Sequence, residues 1–389
     1  MEKATRQHTK DHNSRLVLRT IFNGPQISRA DVARLTGLTR PTVSTIVADL
    51  IDRDLIMETG QGPSAGGTRP TLLSVNGDGR RLLAVDLSGN DFRAARLNLK
   101  GEIEARTARP AAGLRGQAAL NCVYDLVAEL LPDRATPLLG IGVATPGLVA
   151  PNNGIVLRAV NLEWVNLPLR DLLATRFGHS VHVANDSHMA ALAEFTYGDP
   201  AGSDNLIAIR VGRGVGAGII LGGRPFYGDG FGAGEIGHVV VDAEGALCTC
   251  GNRGCLETTS SVPAILARAH AALPIAPQPP SWSQFVAAVL AHDPAAVDVA
   301  VYAGRHLGAA IAQLVGAYNI QRIALVGRIA DLGDVLLDAV VAEMHQRVLP
   351  AMAETTDVRF SSLAGNRAAA DIVMLGCSAF LLHRELGII

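Results

Sequence analysis

"GEIGHVVVDAEGALCTCGNRGCLE" spans residues 234–257, and its spacing decides what kind of body this chain builds. Three of the five cysteines in the 389 residues fall within eight positions, at Cys248, Cys250 and Cys255. Cys122 and Cys377 stand alone. Such clustering suits a metal better than a disulfide framework in a chain of this length, and it points to a reducing, cytoplasmic setting. Gly251 and Gly254 let the backbone turn sharply between the thiols. A tetrahedral site needs a fourth ligand, and His238 lies ten residues upstream of Cys248. His238, Cys248, Cys250 and Cys255 form a closed set for a structural Zn2+. Buried free thiols with a satisfied histidine, or a redox switch, are the competing readings; four clustered ligands explain more than either.

Length and composition set the frame for this cluster. A chain of 389 residues with 48 % apolar and 18 % charged residues has two or three domains and enough apolar surface to bury real cores. The first twenty residues are polar and charged, unlike a signal peptide, and no apolar run reaches membrane-spanning length. The net charge of −2 is uneven. Residues 1–80 hold 11 Lys and Arg against 8 Asp and Glu; the remainder holds 23 against 28. A slightly basic head on an acidic body hints at an anionic partner for the head.

The head reads as two short helices around a tight turn. "SRADVARLTG" has Ser28 as a cap with Asp31 three residues on, and Val32 and Leu35 as its inward face. Gly37 ends that helix. Thr39 caps the next, Pro41 sits where proline is tolerated, and Val43, Ile46, Val47 and Leu50 form an apolar stripe. Arg40, Thr42, Ser44 and Thr45 lie on the other face. An earlier helix over residues 12–22 completes a three-helix core. "LIMETGQGPSAGGTRPTLLSV" follows as strand, Gly-rich loop and strand, a wing with Arg69 near its tip. Residues 1–80 are therefore expected to be a winged helix-turn-helix that binds DNA through Arg40, Thr42, Ser44, Thr45 and Arg69. A helical dimerisation bundle is the alternative.

From residue 81 strands alternate with helices, the pattern of an α/β fold with ligands at strand ends. The turn "DLSGND" (86–91), "ANDSHMAALAE" (184–194), "VGRGVGAGII" (211–220) and the 234–257 segment together make this chain similar to the ROK family of sugar kinases and sugar-responsive repressors. The resemblance covers essentially the whole chain, because many of its repressors carry a winged helix in front. It implies an actin-like, ribonuclease-H-like body of two α/β lobes around a cleft, divided here at 81–198 and 199–389, with the C-terminal helix packing back on the first lobe. It assigns His238, Cys248, Cys250 and Cys255 to zinc. It assigns Asn185, Asp186, Glu235, His238 and Glu257 to the sugar, with the turn at Gly147 and with Asn161 on the same cleft. Carboxylates suit that task because each accepts from two hydroxyls. In the family's kinases the aspartate at the position of Asp186 deprotonates the attacking hydroxyl.

Three nucleotide contacts depart from the kinase pattern. Kinases of the family read Asp-x-Gly-Gly-Thr-Lys in the first loop; here Asp86, Leu87, Ser88, Gly89, Asn90 and Asp91 lack one glycine, the threonine and the lysine. In the second loop Arg213 replaces a threonine. In the third, Arg328 and Ile329 follow Gly327 where a glycine run is usual, so two side chains are expected to project towards the nucleotide. Asp86 is expected to serve its own turn. The expectation is a cytoplasmic repressor that binds a palindromic operator as a homodimer or homotetramer. It is released by a monosaccharide or amino sugar and has no kinase activity, no catalytic residue and no membrane contact. An active kinase with a fused DNA-binding head is the alternative. A zinc hydrolase is weaker, having no open metal position and no Ser-His-Asp set.

Overall fold

The computed structural model describes residues 6–24, 26–63, 69–131, 137–198, 203–272, 278–364 and 371–388. The head comprises α1 (Arg6–Asn23), β1 (Ile27–Ser28), α2 (Arg29–Thr36), α3 (Arg40–Asp52), β2 (Ile56–Gln61) and β3 (Thr71–Val75). Ser28 caps α2 by accepting from the Asp31 amide, and Thr39 caps α3 by accepting from the Thr42 amide. Gly37 closes α2 at φ 71°, a left-handed turn that glycine adopts without a steric penalty. The stripe Val43, Ile46, Val47 and Leu50 is buried against Val17, Leu18 and Ile21 of α1. Leu35 is a correction: it is 60 % exposed, and Val32 and Ala33 form the inward face instead. At about 100° per residue the face centred between Val32 and Ala33 meets the core, and Leu35 lies roughly 110° round the helix from it. β2 and β3 pair antiparallel as the wing; the Gly-rich loop between them lies partly at 64–68, outside the described residues.

Replacing Thr39 with Ala should cost about 1 kcal/mol, because the first turn of α3 loses a cap. Thermal melts measure that loss. Operator affinity should fall with it, since the same turn carries Arg40 and Thr42.

The body is built from two sheets of the same topology. The first contains β4 (Arg81–Asp86), β5 (Asp91–Asn98), β6 (Ile103–Pro110), α4 (Gly116–Leu130), β7 (Leu138–Thr145), a small sheet of β8 (Leu148–Ala150), β9 (Ile155–Ala159) and β10 (Trp164–Leu167), then α5 (Leu169–Phe177), β11 (Val181–Asn185) and α6 (Asp186–Tyr197). Its strand order is β11-β7-β4-β5-β6, antiparallel over β4, β5 and β6 and parallel over β4, β7 and β11. The second half contains β12 (Leu206–Val211), β13 (Val215–Leu221), β14 (Arg224–Phe226), α7 (Glu257–Ser260), α8 (Val262–Ala272), α9 (Trp282–Leu290), α10 (Pro294–Tyr318), β15 (Arg322–Gly327), α11 (Gly333–His345), α12 (Pro350–Ala353), β16 (Asp357–Phe360) and α13 (Ile372–Leu381). Its order, β14-β13-β12-β15-β16, repeats the first, with β12 in the place of β4.

α4 and α5 cover the outer face of the first sheet, and α8 to α11 cover that of the second. α6 and α13 lie between the sheets. All ten residues of α13 are buried, as suits a helix whose one hydroxyl, Ser378, is bonded to Tyr197 at 2.9 Å. α13 seats directly on α6: a Cβ on Gly376 would lie 1.8 Å from the Met189 carbonyl oxygen. The end of α13 and the π turn after it then run into the head. Leu381, Leu382, Leu386 and Ile388 share one apolar cluster with Val17, Leu18, Leu50 and Leu73. The head is thus docked on the body through the last residues of the chain, not only joined to it at residue 80. Among the described residues no single helix is long and apolar enough to cross a membrane.

Candidate functional site

The cleft is built at the start of α6. β11 delivers Asn185 and Asp186 to the end of the first sheet, where the chain turns directly into the helix. Asn185 caps α6: its side-chain oxygen accepts from the Ser187 and His188 amides, and its nitrogen donates to the Gly147 carbonyl at 3.0 Å. That bond ties the 145–147 turn to the helix. A Cβ on Gly147 would lie 2.2 Å from the Arg158 carbonyl oxygen, so the turn requires glycine there. Asn161 sits exposed on the following 3-10 turn Val160–Leu162. Among the described residues no hydrogen bond joins it to Asn185, Asp186 or Glu257.

Asp186 is buried, and its carboxylate is held from two sides. Oδ1 accepts from the Ser187 amide at 2.9 Å, and Oδ2 pairs with Arg210 of β12 at 2.9 Å. Burial pushes its pKa up and Asp86 adds to that, while the Arg210 guanidinium pulls it down. Glu235 is likewise pushed up, first by burial and then by Asp186. His238 pulls Glu235 down and Glu257 pushes it up. Asp186, His238 and Glu257 therefore all lie near enough to Glu235 to act on its charge. Glu257 accepts from the Val215 amide at 3.2 Å, which fixes it against the second glycine loop. His188, one turn into α6, is buried and held neutral; its Nε2 donates to the Ala233 carbonyl at 2.9 Å and so steadies the loop before Glu235.

The second glycine loop serves packing as well as any ligand. A Cβ on Gly216 would lie 2.5 Å from Ser187 Oγ, and one on Gly218 would lie 2.3 Å from the Ser187 carbonyl oxygen. These glycines let β13 lie against the start of α6. Their persistence in the sequence therefore says little about phosphate binding. Arg213 is exposed at the turn. In the third contact, Ile329 is fully buried in the second lobe's core, so only Arg328 projects, with its guanidinium 5.8 Å from the Trp282 ring. The expectation of two projecting side chains is corrected to one: the chain enters a 3-10 turn after Gly327, and that turn carries Ile329 inward.

The "DLSGND" turn is an ion-paired structure in its own right. Asp86 is fully buried and accepts from the Ser88 amide at 2.9 Å and from the Ser88 hydroxyl. It also pairs with Arg93 across the hairpin. Ser88 accepts in turn from Arg210 at 2.7 Å. Asp91 is exposed at the start of β5. Sequence reading missed Arg210. The signal was a charge inside the apolar strand "LIAIRV", which cannot be buried without partners.

His238, Cys248, Cys250 and Cys255 converge, with one ligand atom from each lying within 4.8 Å of the others. His238 Nδ1 is 3.6 Å from Cys248 Sγ, and the sulfurs of Cys250 and Cys255 are 3.6 Å apart. Ligands around a tetrahedral ion with bonds of about 2.0–2.3 Å stand about 3.5–3.8 Å apart, so the four can hold a metal ion. Nδ1 faces the cluster, which leaves Nε2 available to a hydroxyl.

On the head, Arg40, Ser44, Thr45 and Arg69 are exposed and Thr42 is half-buried. The Thr39 and Thr42 hydroxyls bond to each other at 2.8 Å, and the Thr45 hydroxyl donates to the Pro41 carbonyl at 3.1 Å. Arg40 and Ser44 are accordingly the less encumbered of the helix residues.

The ROK family model matches residues 82–377, and a winged helix-turn-helix DNA-binding model matches residues 10–57. The chain belongs to the ROK family. Body and head together align along almost the full length of several relatives. It is 30 % identical over 391 residues to a putative xylose repressor of Caldicellulosiruptor sp. (strain Rt8B.4), covering 97 % of each chain. It is 31 % identical over 363 residues to the DNA-binding transcriptional dual regulator NagC of Escherichia coli (strain K12), covering 91 % of this chain and 89 % of NagC. Among solved structures, a ROK family transcriptional regulator homologous to the E. coli MLC protein superposes with a TM-score of 0.80 at 30 % identity, over 98 % of this chain and 100 % of that one. A ROK family glucokinase from Streptomyces griseus, solved with glucose and AMPPNP, shares the body's fold with a TM-score of 0.68 at 24 % identity, over 77 % of this chain and 98 % of that one.

Proposed function

We propose that this ROK protein is a sugar-responsive repressor that binds its effector without phosphorylating it. One observation carries the reading. The start of α6 presents Asn185 and a buried Asp186 suited to sugar hydroxyls, while the loops matching the kinases' nucleotide contacts carry an ion-paired turn and two arginines. Asp186, Glu235, His238 and Glu257 would accept and donate to sugar hydroxyls, and Asn185 would hold the helix cap and the Gly147 turn. Asn161 is retained as an outer contact. The relatives named for xylose and N-acetylglucosamine support a pentose, hexose or amino sugar as effector. The metal is zinc: a Cys3His set has no open position, so the ion shapes the segment that carries Glu235 and Glu257 and takes no part in chemistry. A dimer, or a pair of dimers, would place two α3 helices about 34 Å apart on a palindromic operator in the cytoplasm. The head, the first lobe and the second lobe divide near residues 80 and 198.

Gel shifts with the operator, with and without D-xylose, D-glucose and N-acetyl-D-glucosamine, test the repressor reading. ATP turnover with the same sugars tests the absence of phosphoryl transfer. Steady turnover, or an operator affinity that no sugar changes, would overturn it.

The acid response follows from Asp186. Only its ionised form accepts from hydroxyls on both oxygens, and burial raises its pKa above the ordinary value of about 3.9. Sugar affinity should therefore fall as pH falls, beginning above the usual carboxylate range. Calorimetry from pH 8 to pH 4.5 checks this, and Asp186→Asn should bind weakly at every pH.

A further inference from the structure

Arg210 stands where the two repeated sheets meet. It leaves the end of β12, which holds in the second lobe the place that β4 holds in the first. One guanidinium nitrogen pairs with Asp186 at the sugar cleft, and another donates to Ser88 in the turn after β4. The Ser88 hydroxyl donates a hydrogen bond to Asp86, and Asp86 pairs with Arg93 on β5. The result is one chain of alternating charge, Arg93, Asp86, Ser88, Arg210 and Asp186. It runs from the hairpin of the first lobe, through a strand of the second, to the first residue of α6. Its Arg210 side chain is only 15 % exposed and Asp186 only 10 %, so water screens this pair poorly. Asp186 keeps lone pairs for a ligand after both bonds are made.

We propose that Arg210 is a positioning residue for the effector and the latch that couples sugar binding to lobe closure. This rests on the sugar-sensor reading above. Arg210 keeps the Asp186 carboxylate aimed, so a sugar hydroxyl is accepted but meets a carboxylate already engaged by a fixed cation. Because the same guanidinium grips Ser88, a hydroxyl that draws Asp186 towards itself pulls on the turn of the first lobe as well. Sugar occupancy and the spacing of the two lobes are thereby linked through one side chain, and a ligand can shift such an equilibrium only through this kind of differential contact.

The test compares the full-length protein with Arg210→Met and Arg210→Lys. Each is measured for binding of D-xylose, D-glucose and N-acetyl-D-glucosamine by calorimetry, and for operator affinity with and without saturating sugar. Arg210→Met should bind the sugar at least tenfold more weakly. It should also lose most of the sugar-induced change in operator affinity at saturation, while operator binding without sugar stays within about twofold. Arg210→Lys should restore part of the affinity but little of the coupling, because an ammonium cannot span Asp186 and Ser88 in the planar, two-pronged manner of a guanidinium. Hydrogen exchange without sugar gives a second readout: the Ser88 and Ser187 amides should exchange faster in Arg210→Met. An Arg210→Met protein with unchanged affinity and unchanged coupling overturns the inference and leaves the sensor reading intact. A wild-type protein that binds none of the sugars overturns the sensor reading; the latch then stands or falls on the exchange of those two amides.

Discussion

Removal of the metal by a chelator, or Cys255→Ser, is expected to abolish the sugar response while operator binding survives. The segment between His238 and Glu257 carries no helix or strand and is held by scattered backbone bonds, such as Cys248 N–H to the Asn252 carbonyl at 2.7 Å. Its regular pairing amounts to two isolated bridges, Val240 with Cys255 and Leu247 with Arg253. Val239, Val240 and Leu247 are exposed and only Val241 packs partly on the lobe's core, so the segment buries little apolar surface of its own. An ion held by His238, Cys248, Cys250 and Cys255 would take the place of a core. Cys255 is fully buried and is followed by Leu256, also fully buried, and then by Glu257. Loss of the ligand at Cys255 therefore frees the residue that positions Glu257 against the Val215 amide. Structural zinc contributes roughly 10–16 kcal/mol in small zinc-finger peptides. In a lobe with its own apolar core the loss should stay local, yet sugar affinity should still drop by more than a hundredfold. Metal analysis, calorimetry with sugar and gel shifts measure the three parts separately. A metal-free protein with undiminished sugar affinity would sink this assignment.

Leu382→Ala should uncouple the head from the body. Leu382 is fully buried in the cluster that also holds Val17, Leu18 and Leu50 of the helix-turn-helix. Truncating a buried leucine to alanine costs about 2–5 kcal/mol, depending on how far the cavity collapses. Here the cavity opens at a junction between domains. The π turn after α13 is pinned by Glu385, which receives bonds from Ser180 and His182, and by Arg384, which donates to the Pro151 carbonyl at 3.0 Å. These polar contacts hold the turn to the first lobe while Leu382 holds it to the head. Calorimetry should show a lower and broader transition for the head, and proteolysis should cut near residue 80 earlier than in the wild type. Sugar should still bind but should alter operator affinity less, because α13 rests on α6 and α6 begins at the cleft. A single cooperative transition at the wild-type temperature would contradict the docking role.

Much of the head was legible because its signals are local. The caps Ser28 and Thr39, Gly37 in the turn and the stripe Val43, Ile46, Val47 and Leu50 all act within one or two helical turns, and each occupies the position its residue type suggests. Leu35 was misread for the same reason that it looked convincing. Periodicity gives a spacing, but a helix of eight residues leaves open which side of that spacing meets the core. The metal ligands were legible because the cysteines lie so close in sequence that few geometries are open to them. Ile329 was misplaced because its direction depends on a 3-10 turn that residue type does not announce.

The order of the chain alone determined the family-like motifs, the helix-turn-helix, the metal ligand set and the loss of the kinase residues in the first loop. Each depends on neighbours within about twenty residues, where spacing restricts what can meet. Tertiary structure decided the rest. Arg210 finds Asp186 24 residues away and Ser88 122 away, and nothing in either local sequence reveals that meeting. Glycines that read as a phosphate loop proved to admit α6 against β13. The last residues of the chain closed the core of the first domain. A buried charge or an apolar end must find a partner, but only the folded chain selects which one.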